Sequence, residues 1–288
     1  MQVQLTSASL SVLINRKGAE LSSIKNNNGI EYLWQADPSV WARHAPILFP
    51  IVGKLKDNCL YYKEQKYELL QHGFARDMDF ELISSNEYSC TYQLKPTVET
   101  KQKFPFDFIF EISYTLEGNA LLTSYHVKND SKEKMFFSVG AHPAFNCPLL
   151  HGEKFEDYAL QFESDSFEQT LLRDGLLSDE KKQLHLNNHT LPLTTRLFDE
   201  DALVFENKQI SKITLRSKTA AHAVIMECKD WPFFGIWSKK GGDRFVCLEP
   251  WYGVADGVGS TQKIDEKKGI LALEAGEEFT CSFSCVFL

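Results

Sequence analysis

Glu249 closes the apolar run Phe245-Val246-Cys247-Leu248 and is followed by Pro250, Trp251 and Tyr252. A carboxylate beside two aromatics is partly desolvated, which raises its pKa and improves it as a general base near neutrality. Aromatic faces beside polar groups also suit a sugar, whose C–H faces pack on rings. A second segment is Gly140-Ala141-His142-Pro143-Ala144-Phe145-Asn146. The proline keeps the backbone of His142 extended, and the small residues leave room around its imidazole. A third is Gln71-His72-Gly73-Phe74-Ala75-Arg76-Asp77, where Gly73 permits positive φ. The fourth runs from Arg43 to Lys54; two prolines and a glycine break its apolar stretch, as in backbone held rigid at a pocket wall. Each has a plainer alternative: a strand-end glutamate reaching solvent, a satisfied core histidine, a turn with a surface Arg76–Asp77 pair, and an edge segment burying Leu48 and Phe49.

Other chemistries find no footing. There is no GxSxG elbow and no P-loop, and Gly257-Val258-Gly259-Ser260-Thr261-Gln262 lacks the third glycine and the βα unit of a dinucleotide site. His185 and His189 have i, i+4 spacing, but Leu186-Asn187-Asn188 between them and Pro192 beyond suggest a loop, so no metal site is expected. The chain has 31 basic and 39 acidic residues, a net charge of −8, and no Lys/Arg-rich run, which argues against a nucleic-acid partner. Lys239-Lys240 and Lys267-Lys268 read as solvated pairs. Seven cysteines without a CxxC pair, and an N-terminus without a cationic-then-apolar leader, argue against a disulfide framework and suggest a cytoplasmic protein. No apolar run approaches the roughly 18 residues of a membrane span.

The elements that must position these residues read as strands. Phe279, Cys281, Phe283, Cys285 and Phe287 alternate with Thr280, Ser282 and Ser284. Phe106 to Thr115 alternates likewise, Glu117-Gly118-Asn119 supplies a turn, and Leu121 to Val127 alternates again, which predicts a long hairpin. Shorter strands fit Val3–Leu5, Ser11–Asn15, Leu21–Lys25, Tyr67–Leu70, Phe80–Ser84, Ser89–Leu94, Tyr158–Phe162, Ser211–Arg216, Ala223–Glu227 and Phe245–Leu248. Helices are scarce, with one short turn at Pro38–Arg43, and no strand–helix alternation suggests a parallel sheet. No linker divides the 288 residues. The expectation is an all-β fold, one large antiparallel domain over residues 1–288 built from packed sheets.

In their order and spacing the four segments resemble the aldose 1-epimerase (galactose mutarotase) family, in particular its LacX-like branch. The resemblance implies a β-sandwich of the galactose mutarotase supersandwich type and a cofactor-free interconversion of α and β anomers. It places Glu249 at the general base, His142 at the general acid and His72 at a second active-site histidine. It implies sugar contacts from Arg43, Lys54, Arg76, Phe145, Asp201 and Trp251. Asp201 has acidic neighbours in Asp199 and Glu200, and Lys54 stands where the family usually has arginine, which forms a bidentate fork that lysine cannot. The His72-Gly73-Phe74-Ala75-Arg76 string is also similar to the hexose-6-phosphate branch, so the implied partner is a small sugar or sugar phosphate. Anomer exchange has no redox step and no leaving group, so neither cofactor nor metal is implied. Two alternatives are a non-catalytic carbohydrate-binding protein on the same fold and a glycoside hydrolase, which needs two carboxylates across its bond.

Overall fold

The computed structural model describes residues 2–288, and two large antiparallel sheets dominate it. The first has nine strands in the order Thr190–Pro192, Tyr158–Phe162, Lys212–Ser217, Ala223–Glu227, Glu278–Phe287, Ala120–Asn129, Phe108–Glu117, Ser89–Leu94 and Glu81–Ser85. The expected hairpin lies at its centre, with Ala120 opposite Glu117 and Asn129 opposite Phe108. Its period-2 pattern does what the sequence implies: Phe108, Phe110, Ile112, Tyr114 and Leu116 are buried, and the residues between them are partly exposed. The chain's last strand pairs with both Ala120–Asn129 and Ala223–Glu227, so the C-terminus is built into the sheet's middle.

The second sheet has eight strands. Its path runs Leu176–His185, Ser166–Arg173, Leu203–Phe205, Phe233–Trp237, Phe245–Tyr252, Val139–Ala141 and Ile47–Leu48, with Ala144–Asn146 also paired to Phe245–Tyr252. Smaller sheets of three strands (Gln2–Thr6, Leu10–Asn15, Leu21–Asn26) and two strands complete the fold. Among the described residues the one α-helix is Val98–Lys103, opened by a Thr97–Thr100 capping box. No helix among the described residues is long and apolar enough to cross a membrane.

In the middle of the second sheet both faces are covered, so Leu203–Phe205, Phe233–Trp237 and Phe245–Tyr252 are buried almost throughout rather than alternating, whereas the edge strand Leu176–His185 is mostly exposed. In Phe245–Tyr252, Val246 and Leu248 enter the main core, while Phe245, Cys247 and Trp251 belong to two separate clusters on the other face. Phe234 and Ile236 divide from Phe233 in the same way, and Phe205 from Val204. The main core is rich in aromatics, with Phe49 stacked on Phe110 at 4.5 Å between ring centroids. The second sheet therefore shows its far face to a cavity.

Two expectations need correcting here. Phe145 is 1% exposed and turned into the core, where its ring lies 6.3 Å from that of Phe287. It does not line the cavity, because strand alternation sends it inward beside Val246, with which it pairs. Lys267 is not solvated: its ammonium is buried against Asp256 at 2.9 Å, a carboxylate that is itself buried. His185 ends a strand and His189 sits in a turn with positive φ beside Asp165, so the two are not on one helix.

Candidate active site

The cavity has a volume of about 510 Å³ and is lined by Glu249, His142, His72, Arg43, Lys54, Arg76, Asp201 and Trp251 among others. Eight of the nine residues expected at a site thus come together, drawn from five separate stretches of chain. Glu249 and Trp251 are two apart on one strand, so they project to the same face. His142 lies between the short strands Val139–Ala141 and Ala144–Asn146, both of which pair with that same strand. The pairing brings His142 Nε2 to 3.2 Å from Glu249 Oε2. Glu249 is 2% exposed and His142 8%. The contact angle completes no hydrogen bond, and Glu249 Oε2 and His142 Nδ1 are left without partners.

Burial decides the electrostatics. Desolvation raises the Glu249 carboxyl well above the usual carboxylate range; the nearby Trp251 indole offsets part of this and Asp201 adds to it. Desolvation also lowers the His142 imidazole. A protonated carboxyl beside a neutral imidazole and a carboxylate beside an imidazolium both carry one proton and no net charge. The low-dielectric site penalises gain or loss of a proton from that state, so the pair is a one-proton unit.

His72 is held by a reciprocal pair of bonds. Its backbone N–H donates to the Gly53 carbonyl at 2.9 Å, and the Gly53 N–H donates to His72 Nδ1 at 3.2 Å. An Nδ1 that accepts leaves Nε2 as the protonated nitrogen of a neutral ring. Burial and the cationic neighbours Arg76 and Arg43 keep its pKa well below the histidine norm. His72 thus presents a hydrogen-bond donor, and its ring meets His142 edge to face at 5.4 Å. Its own φ is +69°, and Asp201 has φ of +91°. Left-handed backbone at non-glycine residues is costly and clusters at functional sites.

The cations at the rim each have at least one acceptor, although the buried Arg76 Nε has no hydrogen-bond partner. Arg43 bonds Asp77 at 3.0 Å, Arg76 donates to the Gln71 carbonyl at 2.7 Å and lies 3.8 Å from Asp77, and Lys54 donates to the Asp174 carbonyl at 2.8 Å. Burial lowers Arg76 to about 10. Of the three neighbouring acids, Asp201 lines the cavity, whereas Asp199 pairs with Arg196.

Two cavity residues carry no signal in the linear pattern. Trp41 stacks on His142 at 5.2 Å, and Trp237 meets the same imidazole at 5.8 Å. Trp41 comes from the turn after Asp37, whose carbonyl accepts from both Val40 and Trp41. Trp237 ends a strand buried on both faces, which shows no alternation to read.

The family model described as aldose 1-epimerase matches residues 1–261. The chain belongs to the aldose 1-epimerase family. It is 36% identical over 277 residues to the plasmid-encoded protein LacX of Lactococcus lactis subsp. lactis, a match covering 93% of each chain. A galactose mutarotase related enzyme from Lactobacillus acidophilus has 37% identity and a TM-score of 0.96, with 100% of this chain and 97% of that one covered. A galactose mutarotase-like protein from Lactobacillus casei has 31% identity and a TM-score of 0.91, with both chains fully covered. The supersandwich expected from the aldose 1-epimerase resemblance is the observed fold.

Proposed function

We propose that this protein is an aldose 1-epimerase acting on a neutral hexose, with Glu249 and His142 as its acid–base pair. The buried 3.2 Å contact between these two side chains, facing a cavity that also holds His72, Asp201 and Trp251, carries the reading. In the ion-pair form, the Glu249 carboxylate takes the proton of the anomeric hydroxyl while His142 Nε2 gives its proton to the ring oxygen. The C1–O5 bond breaks and leaves an aldehyde and a free hydroxyl. Rotation about C1–C2 presents the other carbonyl face. The hydroxyl attacks it, His142 recovers its proton from the ring oxygen, and Glu249 returns its proton to the anomeric oxygen. The pair ends with the one proton it began with, and no cofactor or metal enters the balance.

His72 Nε2–H supplies a donor to a sugar oxygen, and Asp201 supplies an acceptor for a hydroxyl. The rim favours the neutral substrate. Arg43, Arg76 and Lys54 each engage a protein acceptor, and a net charge of −8 works against steering a dianion to the mouth. A hydrolase reading is less well supported, because the group in contact with Glu249 is an imidazole rather than a second carboxylate.

NMR exchange between anomers, run on free aldoses and their 6-phosphates, tests both parts. Exchange is expected on a free hexose at least as fast as on its phosphate. Sugar binding without exchange would leave a carbohydrate-binding protein. A phosphate preference that vanishes in Arg76→Ala would move the substrate to a hexose phosphate.

A further inference from the structure

Cys247 stands two residues before Glu249 on the same strand and the same face, opposite Ala144 and Trp237 in neighbouring strands. The anomer exchange described above leaves it without a task. Its thiol lies in the same buried cluster as the acid–base pair. One ligand atom from each of His142, Cys247 and Glu249 falls within 4.8 Å of the others, and all three residues are buried. Glu249 Oε2, 2% exposed at the residue level, has no hydrogen-bond partner.

We infer that His142, Cys247 and Glu249 form a latent site for a soft divalent cation, Zn²⁺ or Cd²⁺, whose occupation switches off the acid–base pair. The ligand types fit. An imidazole nitrogen, a thiolate and a carboxylate oxygen are all zinc donors, with bonds of about 2.0–2.3 Å. Tetrahedral bonds of that length put ligand atoms about 3.5 Å apart. The histidine and glutamate already meet that spacing at 3.2 Å, so Cys247 need only close by about an ångström, within reach of a side-chain rotation. His142 and Glu249 line the cavity, and three-ligand zinc sites take water as the fourth ligand.

The charge also fits. Binding releases the thiol proton and the proton shared by the pair. One dication, one thiolate, one carboxylate and one neutral imidazole then sum to zero, which a buried site tolerates. The thiolate selects against hard cations, so Mg²⁺ and Ca²⁺ should not compete. An occupied site holds both catalytic groups as ligands and leaves neither free to move a proton. That last consequence rests on the epimerase reading, whereas the binding does not.

The test uses the full-length, chelator-treated protein. Calorimetry with Zn²⁺ should show one tight equivalent, absent with Mg²⁺. X-ray absorption at the zinc edge should show one sulfur and two or more nitrogen or oxygen neighbours. Cys247→Ala, with Cys247→Ser as a second variant should alanine fold poorly, should keep anomer exchange in metal-free buffer. It should lose the sulfur neighbour and need at least about tenfold more Zn²⁺ for half-inhibition. Zinc bound without sulfur, Mg²⁺ binding as well as Zn²⁺, no zinc equivalent at all, or inhibition unchanged in both variants would each overturn the site. If the wild type shows no exchange on any sugar, calorimetry and absorption still decide the metal claim, and it is the epimerase reading that fails.

Discussion

In the proposed mechanism two ordinary side chains act as an acid–base pair because water is kept from them. Glu249 and His142 are almost fully buried, and desolvation raises the carboxyl and lowers the imidazole, which disfavours both the doubly protonated and the proton-free pair. Glu249→Gln keeps the shape and removes the proton acceptor. Anomer exchange should fall by about 10²–10⁴-fold while thermal unfolding and circular dichroism stay close to wild type. A well-folded, active Gln variant would remove Glu249 from the mechanism. The same burial shapes the pH profile. A second proton must go onto an imidazole lowered from its ordinary value of 6.5, so the acid limb of kcat/KM should lie below that pH. Loss of the shared proton must come from a carboxyl raised above 4.5, so the alkaline limb should lie above that value. The expected profile is a bell with a broad top. A rate that climbs through pH 6.5 as for a free histidine would contradict it. At this scale the sequence was legible where chemistry left a local trace: a glutamate before Pro-Trp, a histidine before Pro. It misled at Phe145, because proximity to His142 in the chain says nothing about which face of a strand a ring takes. Cys247, one residue of an apolar run in the sequence, carried no signal for the complementary reason, since its neighbours in space come from other strands.

The elements divide by how many faces they bury. The long central strands of the nine-stranded sheet alternate and could be read within a residue or two, as in Phe108–Glu117 and Glu278–Phe287, whereas the short edge strand Thr190–Pro192 was missed. Strands of the eight-stranded sheet, which carry Glu249, Trp251 and Trp237, were mostly missed or cut short. Phe245–Tyr252 runs four residues beyond the apolar stretch, through Pro250. Phe233–Trp237 shows why glycine stands in such a strand. Gly235 pairs with Glu249, and a Cβ added there would sit 2.2 Å from the Trp251 ring. The missing side chain leaves room for the indole beside the Glu249 carboxylate. Gly235→Ala must push that ring into the cavity. Overpacking of this kind costs about 1–3 kcal/mol. Thermal unfolding should move down accordingly, and kcat/KM should drop about tenfold or more through a displaced wall. If kcat/KM were unchanged, Trp251 would have no part in shaping the site.

Taken whole, the molecule must hold two independently supplied halves of one site in register. Glu249, His142 and Trp251 come from the eight-stranded sheet, but His72 hangs on Gly53, in irregular chain. The segments meet at Gly53–Lys56 and Val254–Asp256. A Cβ on Gly53 would lie 2.6 Å from Ala255, the Asp256 N–H donates to the Lys54 carbonyl at 2.9 Å, and Asp256 Oδ2 accepts from the Lys56 N–H at 3.0 Å. Lys267 secures the seam from beneath, donating to Asp256 Oδ1 at 2.9 Å and to the Val254 carbonyl at 2.6 Å. No linear pattern announces this: Lys267-Lys268 looks like a solvated pair, and only the fold sets a buried carboxylate against the first lysine. Desolvation lowers the Lys267 ammonium, but Asp256 opposes that shift, and the side chains are 2% and 3% exposed. Removing one partner of such a pair strands the other charge and costs about 3–5 kcal/mol, whereas replacing both with apolar or neutral groups is often nearly neutral. Lys267→Met should therefore lower the free energy of unfolding by about that amount and weaken sugar binding as His72 and Glu249 lose register. Adding Asp256→Asn should restore much of the stability, since the amide keeps the acceptor for Lys56 without the charge. Denaturant unfolding of the two single variants and the double measures the coupling. A double variant no more stable than Lys267→Met would mean that packing, not the stranded charge, sets the cost.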